Sequence, residues 1–289
     1  HNFIKDAVKS GAIALIVNKT YSSNIYNNKL IKVDDVYKSL ILMANEARNR
    51  VIKASNIVAI TGSSGKTSTK EMIKSAFIEL GLTHSNLGRF NNHVGVPYSL
   101  ANMSSNTEFG IFELGMNNTN EIRKLSNLVR PNIAIITNVS EAHIGNFNSI
   151  KDVIKAKAEI FEGIENNGNI LINRDFKYYD EVLSYSKNLK NINTITYGIN
   201  NLSDISLVNR KIIDEGQIIT ALANKKEYIY KINYDGLHQA INSLAVLGAL
   251  LITKSDIEKG INNLHHSLIP IGRGNRHNII INGQRSLLI

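Results

Sequence analysis

Along this chain the apolar positions switch repeatedly between a strand-like and a helical period, and the switches divide it into alternating elements. Ile57–Ile60 is a short β-branched run and reads as a buried parallel strand. Phe109–Leu114, Ile133–Thr137, Ile170–Asn173 and Asn193–Tyr197 read as strands too. Between them, apolar residues recur at helical spacing, as in Met72, Ile73, Ala76, Phe77 and Leu80. The pattern predicts helices over Lys66–Leu80, Asn120–Val129, Ile150–Ile164 and around Lys177–Ser186. Strand and helix in alternation predict an α/β fold with a doubly wound, mostly parallel sheet.

The flanks differ in texture. Ile4–Ser10 reads as a helix ended by Gly11, and Ala12–Val17 as a strand. Asp34–Ala54 reads as a long helix whose paired aspartates suit its N-terminal dipole. Residues 1–54 are therefore expected to be the remnant of a small α/β domain plus a connecting helix, and residues 55–274 the main domain. Within the latter, the alternating runs Ile205–Val208, Gln217–Ala221 and Tyr228–Ile232 predict an antiparallel extension of the sheet. Helices follow over Leu237–Leu251 and Ser255–Asn263, then a polar loop over Gly272–Asn278. Residues 275–289 return to strand character. The chain starts at His1 and stops in the apolar run Leu287-Leu288-Ile289, which reads as a piece cut at both ends.

The first strand of the main domain leads into Thr61-Gly62-Ser63-Ser64-Gly65-Lys66-Thr67, and a helix starts near Lys66. Strand, glycine turn and helix form the setting of a phosphate-binding loop. Glycines let backbone N–H groups face phosphate oxygens, and the helix end adds about half a positive charge. Lys66 can reach the β- and γ-phosphates, and the Thr67 hydroxyl can hold Mg²⁺. The loop is one glycine short of the common G-x-x-x-x-G-K-[ST] pattern. The alternative is a plain Gly/Ser turn, which leaves a lysine opposing the helix dipole unexplained.

Composition narrows the picture little. The 289 residues suffice for two domains, and 43% hydrophobic with 20% charged residues is ordinary globular content. There is no Cys, so no thiolate metal site or disulfide, which fits a reducing compartment. No apolar run approaches the roughly 18 residues of a membrane span. The net charge of +9 fits either a lysine-rich surface or acidic ligands such as nucleotides and sugar diphosphates. The basic residues are scattered, with no nucleic-acid recognition motif.

In an open α/β sheet ligands bind beyond the carboxyl ends of the strands. Glu113, Thr137-Asn138 and His143 stand at or just past such ends, as do Lys66 and Thr67. Glu113 there is either a solvated residue or a second ligand for Mg²⁺, and His143 taken alone is an ordinary loop histidine. Leu87 to Pro97 reads as a polar loop whose Asn91 and Asn92 could line a substrate groove. Lys157 stands on a helix whose apolar face runs Val153, Ala156, Ile160 and Ile164, and a lysine there reads as solvated.

The motifs T-G-S-S-G-K-T, S-N-L-G-R-F-N-N-H-V-G-V-P, F-E-L-G-M, T-N-V-S-E-A-H-I, A-K-A-E-I-F, G-L-H-Q-A-I-N-S-L-A and G-R-G stand in this order. Together they resemble the Mur ligase family over essentially the whole chain. Within it the chain is most similar to the members that add D-alanyl-D-alanine to UDP-N-acetylmuramoyl-tripeptide in peptidoglycan synthesis. The resemblance implies a monomeric, cytoplasmic, ATP-dependent acid–amino-acid ligase working through an acyl phosphate. By it, Gly62, Ser63, Ser64, Gly65, Lys66, Thr67 and Ser68 bind the nucleotide. Thr67 and Glu113 hold one Mg²⁺, and His143 a second. Lys157 matches a lysine that is carbamylated in the family and then supports the second ion. Asn138 lines the site, Asn242 matches an adenine-side asparagine, and Arg273 matches an arginine on the ATP phosphates. Asn173 and Asp175 stand where nucleotide-contacting groups are common, and Asn91 and Asn92 face the UDP-muramoyl substrate. Arg89, Asn120 and Gln239 depart from the family's usual Asn, Gly and Asn. The resemblance also implies that a C-terminal domain and most of the N-terminal one lie outside this sequence. A different Mur-type ligase, a folylpolyglutamate-synthase relative, or an inactive nucleotide-binding module are the alternatives.

Overall fold

The structure, a computed structural model, describes residues 2–23, 25–51, 56–88, 90–141, 146–187, 189–268, 277–281 and 284–288. Helix α1 (Ile4–Lys9) precedes β1 (Leu15–Asn18), which pairs in parallel with β2 (Leu30–Val33). Ile4, Leu15 and Val17 form the small core between them. Pattern alone does not predict β2, because even its inward residues Leu30 and Val33 are only half-buried. Helix α2 (Val36–Arg50) follows, capped by Asp35, whose carboxylate accepts the Lys38 N–H at 3.0 Å.

The main sheet contains β3 (Asn56–Thr61), β4 (Thr83–Ser85), β5 (Phe109–Glu113), β6 (Ile133–Ile136), β7 (Asn169–Asn173), β8 (Asn193–Gly198), β9 (Ile205–Ile213), β10 (Gly216–Ala223) and β11 (Lys226–Ile232). Their order is β11-β10-β9-β8-β7-β6-β3-β5-β4. Pairing is parallel from β4 to β9 and antiparallel from β9 to β11, as the pattern predicts. Two layers of helices cover the sheet: α3 (Lys66–Ile78), α4 (Gly95–Ala101), α5 (Glu121–Val129), α6 (Ile150–Ala158), α7 (Tyr179–Ser186), α8 (Leu237–Thr253) and α9 (Ile257–Asn262). Strand β3 shows why it reads as a continuous apolar run. Ile57 and Ala59 enter the core under α2, α4, α5, α6 and α7, while Val58 and Ile60 enter the core under α3, α8 and α9. The second core includes Phe77 stacked on Phe109 with ring centroids 4.4 Å apart. A separate hairpin, β12 (His277–Ile281) with β13 (Gln284–Leu288), follows, so strand begins inside the predicted polar loop.

Several helical boundaries depart from the periodicity. The long helix predicted from Asp34 begins at Val36. The helix predicted over Ile150–Ile164 is α only to Ala158 and tightens into a 3₁₀ turn over Glu159–Gly163. Gly163 passes so close to α5 that a Cβ there would lie 2.2 Å from the Ser126 carbonyl carbon. Helix α4 falls at the end of the segment read as a loop, because Gly95 and Pro97 are turn signals. Pro97 is harmless in a first helical turn, where its missing N–H has no carbonyl to meet. No helix among the described residues is long and apolar enough to cross a membrane.

Candidate active site

The carboxyl ends of β3, β5 and β6 are adjacent, and the predicted residues gather there. The register pairs Ile60 with Glu113 and Thr61 with Ile136, so the glycine turn leaves β3 directly between its two neighbours. Gly62 can take no side chain, since a Cβ would lie 2.0 Å from Thr137 Oγ1. Gly65 is the N-cap of α3 at φ +82°, and its Cα faces the side-chain amide of Asn242. The first-turn N–H groups of α3 have no carbonyl a turn behind them, which makes this helix end an anion site.

Strand β6 holds the turn in shape. Asn138 accepts the Ser63 N–H through its backbone oxygen at 3.0 Å and the Ser64 N–H through Oδ1 at 2.9 Å. Its Nδ2 donates to Ser64 Oγ, and Thr137 Oγ1 donates to the Ser64 carbonyl at 2.6 Å. The Ser63 and Ser64 amides are thus engaged by protein, and the open part of the predicted cradle begins at Gly65. Lys66 arches back over the turn, its Nζ donating to the Gly62 carbonyl at 2.7 Å. Thr67 and Ser68 are buried in the first turn of α3.

Glu113 ends β5 with 1% exposure. Asn91 Nδ2 donates to its Oε1 at 2.8 Å, and Oε2 is buried with no hydrogen-bond partner. An orphaned buried carboxylate oxygen beside a phosphate-type helix end is the donor a hard cation needs, and the Thr67 hydroxyl is of the same class. Among the described residues no three His, Cys, Asp or Glu side chains converge on a point. A divalent ion here would therefore draw on Glu113, Thr67 and phosphate oxygens rather than on an all-protein cage.

Lys157 corrects the solvated reading. It faces inward from α6 with 2% exposure. Burial, and secondarily the charge of Lys66, lowers its pKa from 10.5 to about 7. An amine of that pKa has a substantial neutral fraction at neutral pH, and the neutral form is nucleophilic toward CO₂. Two residues on, buried Glu159 caps α5 by accepting the Asn120 and Arg123 N–H groups at 2.8 and 3.1 Å. Asn120 itself takes the left-handed conformation, φ 65°, which asparagine adopts more readily than most residues.

On the other side of the turn lies a cavity of about 540 Å³ lined by residues including Ser64, Gly65, Asn138, Asn173, His238 and Asn242. Gln239 bridges α8 to α3, donating to Ser68 Oγ at 3.3 Å and accepting from Asn242 at 3.3 Å. Asn173 reaches the cavity, but Asp175 does not line it. Its carboxylate accepts the Ile199 and Asn200 N–H groups at 2.7 and 3.0 Å and pins that turn. Asn92 is exposed, and its Oδ1 accepts the Val94 and Gly95 N–H groups at the start of α4. His143, Arg273 and Arg89 lie outside the described residues. Sequence reasoning passed over Tyr234, Asp235 and His238 in the cavity wall. His238 was legible only as part of the G-L-H-Q motif, since its helix otherwise reads as core.

The chain is similar to known proteins in sequence and in fold. The family described as the Mur ligase middle domain matches residues 60–250. The UDP-N-acetylmuramoyl-tripeptide–D-alanyl-D-alanine ligase of Rickettsia prowazekii is 36% identical over 289 residues, covering 100% of this chain and 63% of its own length. The crystal structure of MurF from Acinetobacter baumannii superposes with a TM-score of 0.85 at 24% identity, over 99% of this chain and 61% of that one. MurF ligase from Thermotoga maritima in complex with ADP superposes at 0.78 with 24% identity, over 96% of this chain and 62% of that one. The chain spans about three fifths of the length of these relatives.

Proposed function

The chain belongs to the Mur ligase family through its middle domain, and from that premise we propose that the full-length protein joins D-alanyl-D-alanine to UDP-N-acetylmuramoyl-tripeptide with ATP, in the cytoplasm. Residues 55–274 are the ATP-binding unit. Residues 1–54 are the end of a UDP-substrate domain, and residues 275–289 lead toward a C-terminal one.

The observation that carries this reading is the Glu113 carboxylate, fixed at one oxygen by Asn91 and open at the other, beside the glycine turn and Lys66. Transfer of a γ-phosphoryl group to a carboxylate brings two anions together, so the site must supply positive charge and alignment. Lys66 and the first-turn amides of α3 face the phosphates. The cavity under Asn242 takes the nucleoside, with Asn138 and Asn173 on its rim. Glu113 and the Thr67 hydroxyl would hold a Mg²⁺ ion, which would screen the phosphate oxygens. Lys157, whose amine is partly neutral beside Lys66, is the group that CO₂ would convert into a carbamate and so into a further anionic ligand, together with His143. Arg273 completes the phosphate contacts, and Asn91 and Asn92 belong to the loop facing the muramoyl substrate. The peptide carboxylate attacks the γ-phosphorus of ATP, the bond from that phosphorus to the β-phosphate oxygen breaks, and an acyl phosphate and ADP result. The dipeptide amine then attacks the acyl carbon, and phosphate leaves.

The test is phosphate release by the full-length protein. Release is expected only when ATP, UDP-N-acetylmuramoyl-tripeptide and D-alanyl-D-alanine are all present. Release with a single amino acid or with glutamate in place of the dipeptide would transfer the protein to another branch of the ligases. Nucleotide binding without release under any acceptor would leave an inactive binding module.

A further inference from the structure

One buried cation takes no part in the site as described. Lys70 lies one turn beyond Lys66 on α3, and its side chain has 0% exposure. Its three N–H donors have three oxygens in reach: the carbonyls of Asn86 at 3.0 Å and Gly88 at 3.2 Å, and Glu71 Oε1 at 3.0 Å. A buried ammonium persists only when its donors are matched in this way. Two of its partners belong to the segment that leaves β4 toward the site.

Asn86 continues the chain of contacts. Its side-chain amide brackets the Glu113 peptide, accepting the Glu113 N–H at 2.9 Å and donating to the Glu113 carbonyl at 3.1 Å. The same Nδ2 donates to the Phe90 carbonyl at 2.9 Å. Phe90 precedes Asn91, whose backbone oxygen accepts the Gly115 N–H at 2.8 Å while its side chain holds Glu113 Oε1. Glu113 is therefore gripped at its peptide by Asn86 and at its carboxylate by Asn91, and both grips come from one segment anchored to α3.

We propose that Lys70 is a positioning residue that locks this segment to the helix bearing Lys66 and Thr67, and thereby aims the open oxygen of Glu113 at the cation beside the phosphates. The proposal rests on the reading of Glu113 as a cation ligand. Lys70 touches neither nucleotide nor metal. It sets the distance between the two halves of the site, because Thr67 moves with α3 and Glu113 is held by the segment Lys70 fastens.

The test uses the full-length protein with Mn²⁺ as a spin probe for the divalent ion. Mn²⁺ affinity is measured in the presence of ADP by electron paramagnetic resonance, and ADP affinity is measured separately in EDTA. Lys70→Met is expected to weaken Mn²⁺ binding by about tenfold or more, the range of losses for groups that orient a metal ligand. Metal-free ADP binding is expected to stay within about twofold, since the turn is held by Asn138 rather than by Lys70. Lys70→Gln, an uncharged donor that replaces part of the contact and is milder for folding, is expected to fall between. A purely structural lysine would lower the melting temperature and leave the ratio of the two affinities unchanged. A folded Lys70→Met or Lys70→Gln protein with parental Mn²⁺ affinity overturns the proposal. Glu113→Gln is the control on the reading beneath it. If it too binds Mn²⁺ as the parent does, the cation assignment fails and the role of Lys70 fails with it. If only Glu113→Gln weakens binding, the assignment stands and Lys70 is excluded.

Discussion

Lys66 and Lys157 bear on one another: after burial, the charge of Lys66 is the next cause bringing the Lys157 amine down to a pKa of about 7. The unfolded chain keeps the ordinary value of 10.5, so between these values it binds more protons than the fold does. Stability therefore rises with pH across that window, by about 1.4 kcal/mol per pH unit from this residue. Below pH 7 the cost of the buried charge is present in full. Lys157→Met is expected to be more stable than the parent there, with the difference closing as pH rises toward 10.5. Urea melts in bicarbonate-free buffer measure it. A difference independent of pH would show that Lys157 titrates alike in both states.

The reading of Lys157 as a carbamate also predicts a chemical rescue. Lys157→Ala in the full-length protein is expected to lose about a hundredfold or more in phosphate release. Acetate or formate is expected to restore part of it by supplying the missing carboxylate. Full activity without rescue would make Lys157 a buried spacer.

Gly65 combines a left-handed backbone with the Asn242 amide over its Cα. Gly65→Ala is expected to cost roughly 1–2 kcal/mol in backbone strain. It should weaken ADP binding further still, because the new methyl enters the cavity mouth. Calorimetry on the same protein gives both numbers.

Glu159 is buried and accepts two N–H groups at the head of α5. Glu159→Gln keeps one acceptor oxygen and loses the charge that complements the helix dipole, an expected loss of about 1–2 kcal/mol in urea. Arg123→Ala, which removes the exposed pair with Glu162, is expected to cost far less.

Much of this architecture was legible because β3, β5, β6 and β7 are buried on both faces and so read as unbroken apolar runs. The antiparallel extension was legible from its alternation. What stayed hidden was set by tertiary contact. Strand β4 is three half-buried residues, and α4 contains a glycine and a proline. The site divided in the same way. Lys66, Thr67 and Asn138 follow from strand, turn and helix, whereas Lys157 was passed over because a helical lysine is usually solvated, although it stands one turn from Val153 and Ile160 on the apolar face and is buried with them. Lys70 gave no sign at all, since a lysine in a helix after a glycine turn has no local feature that announces three oxygens from a distant segment.

The turn at Gly62–Gly65 owes its shape to Asn138 and Thr137, that is, to a neighbouring strand. Its conformational entropy is consequently lost when the chain folds, not when a ligand arrives. A preorganised loop of this kind lets a nucleotide bind without an ordering penalty at the phosphates. Any substitution that frees Asn138 would move that penalty into the binding step, where it would surface as a less favourable binding entropy in a site whose contacts are unchanged.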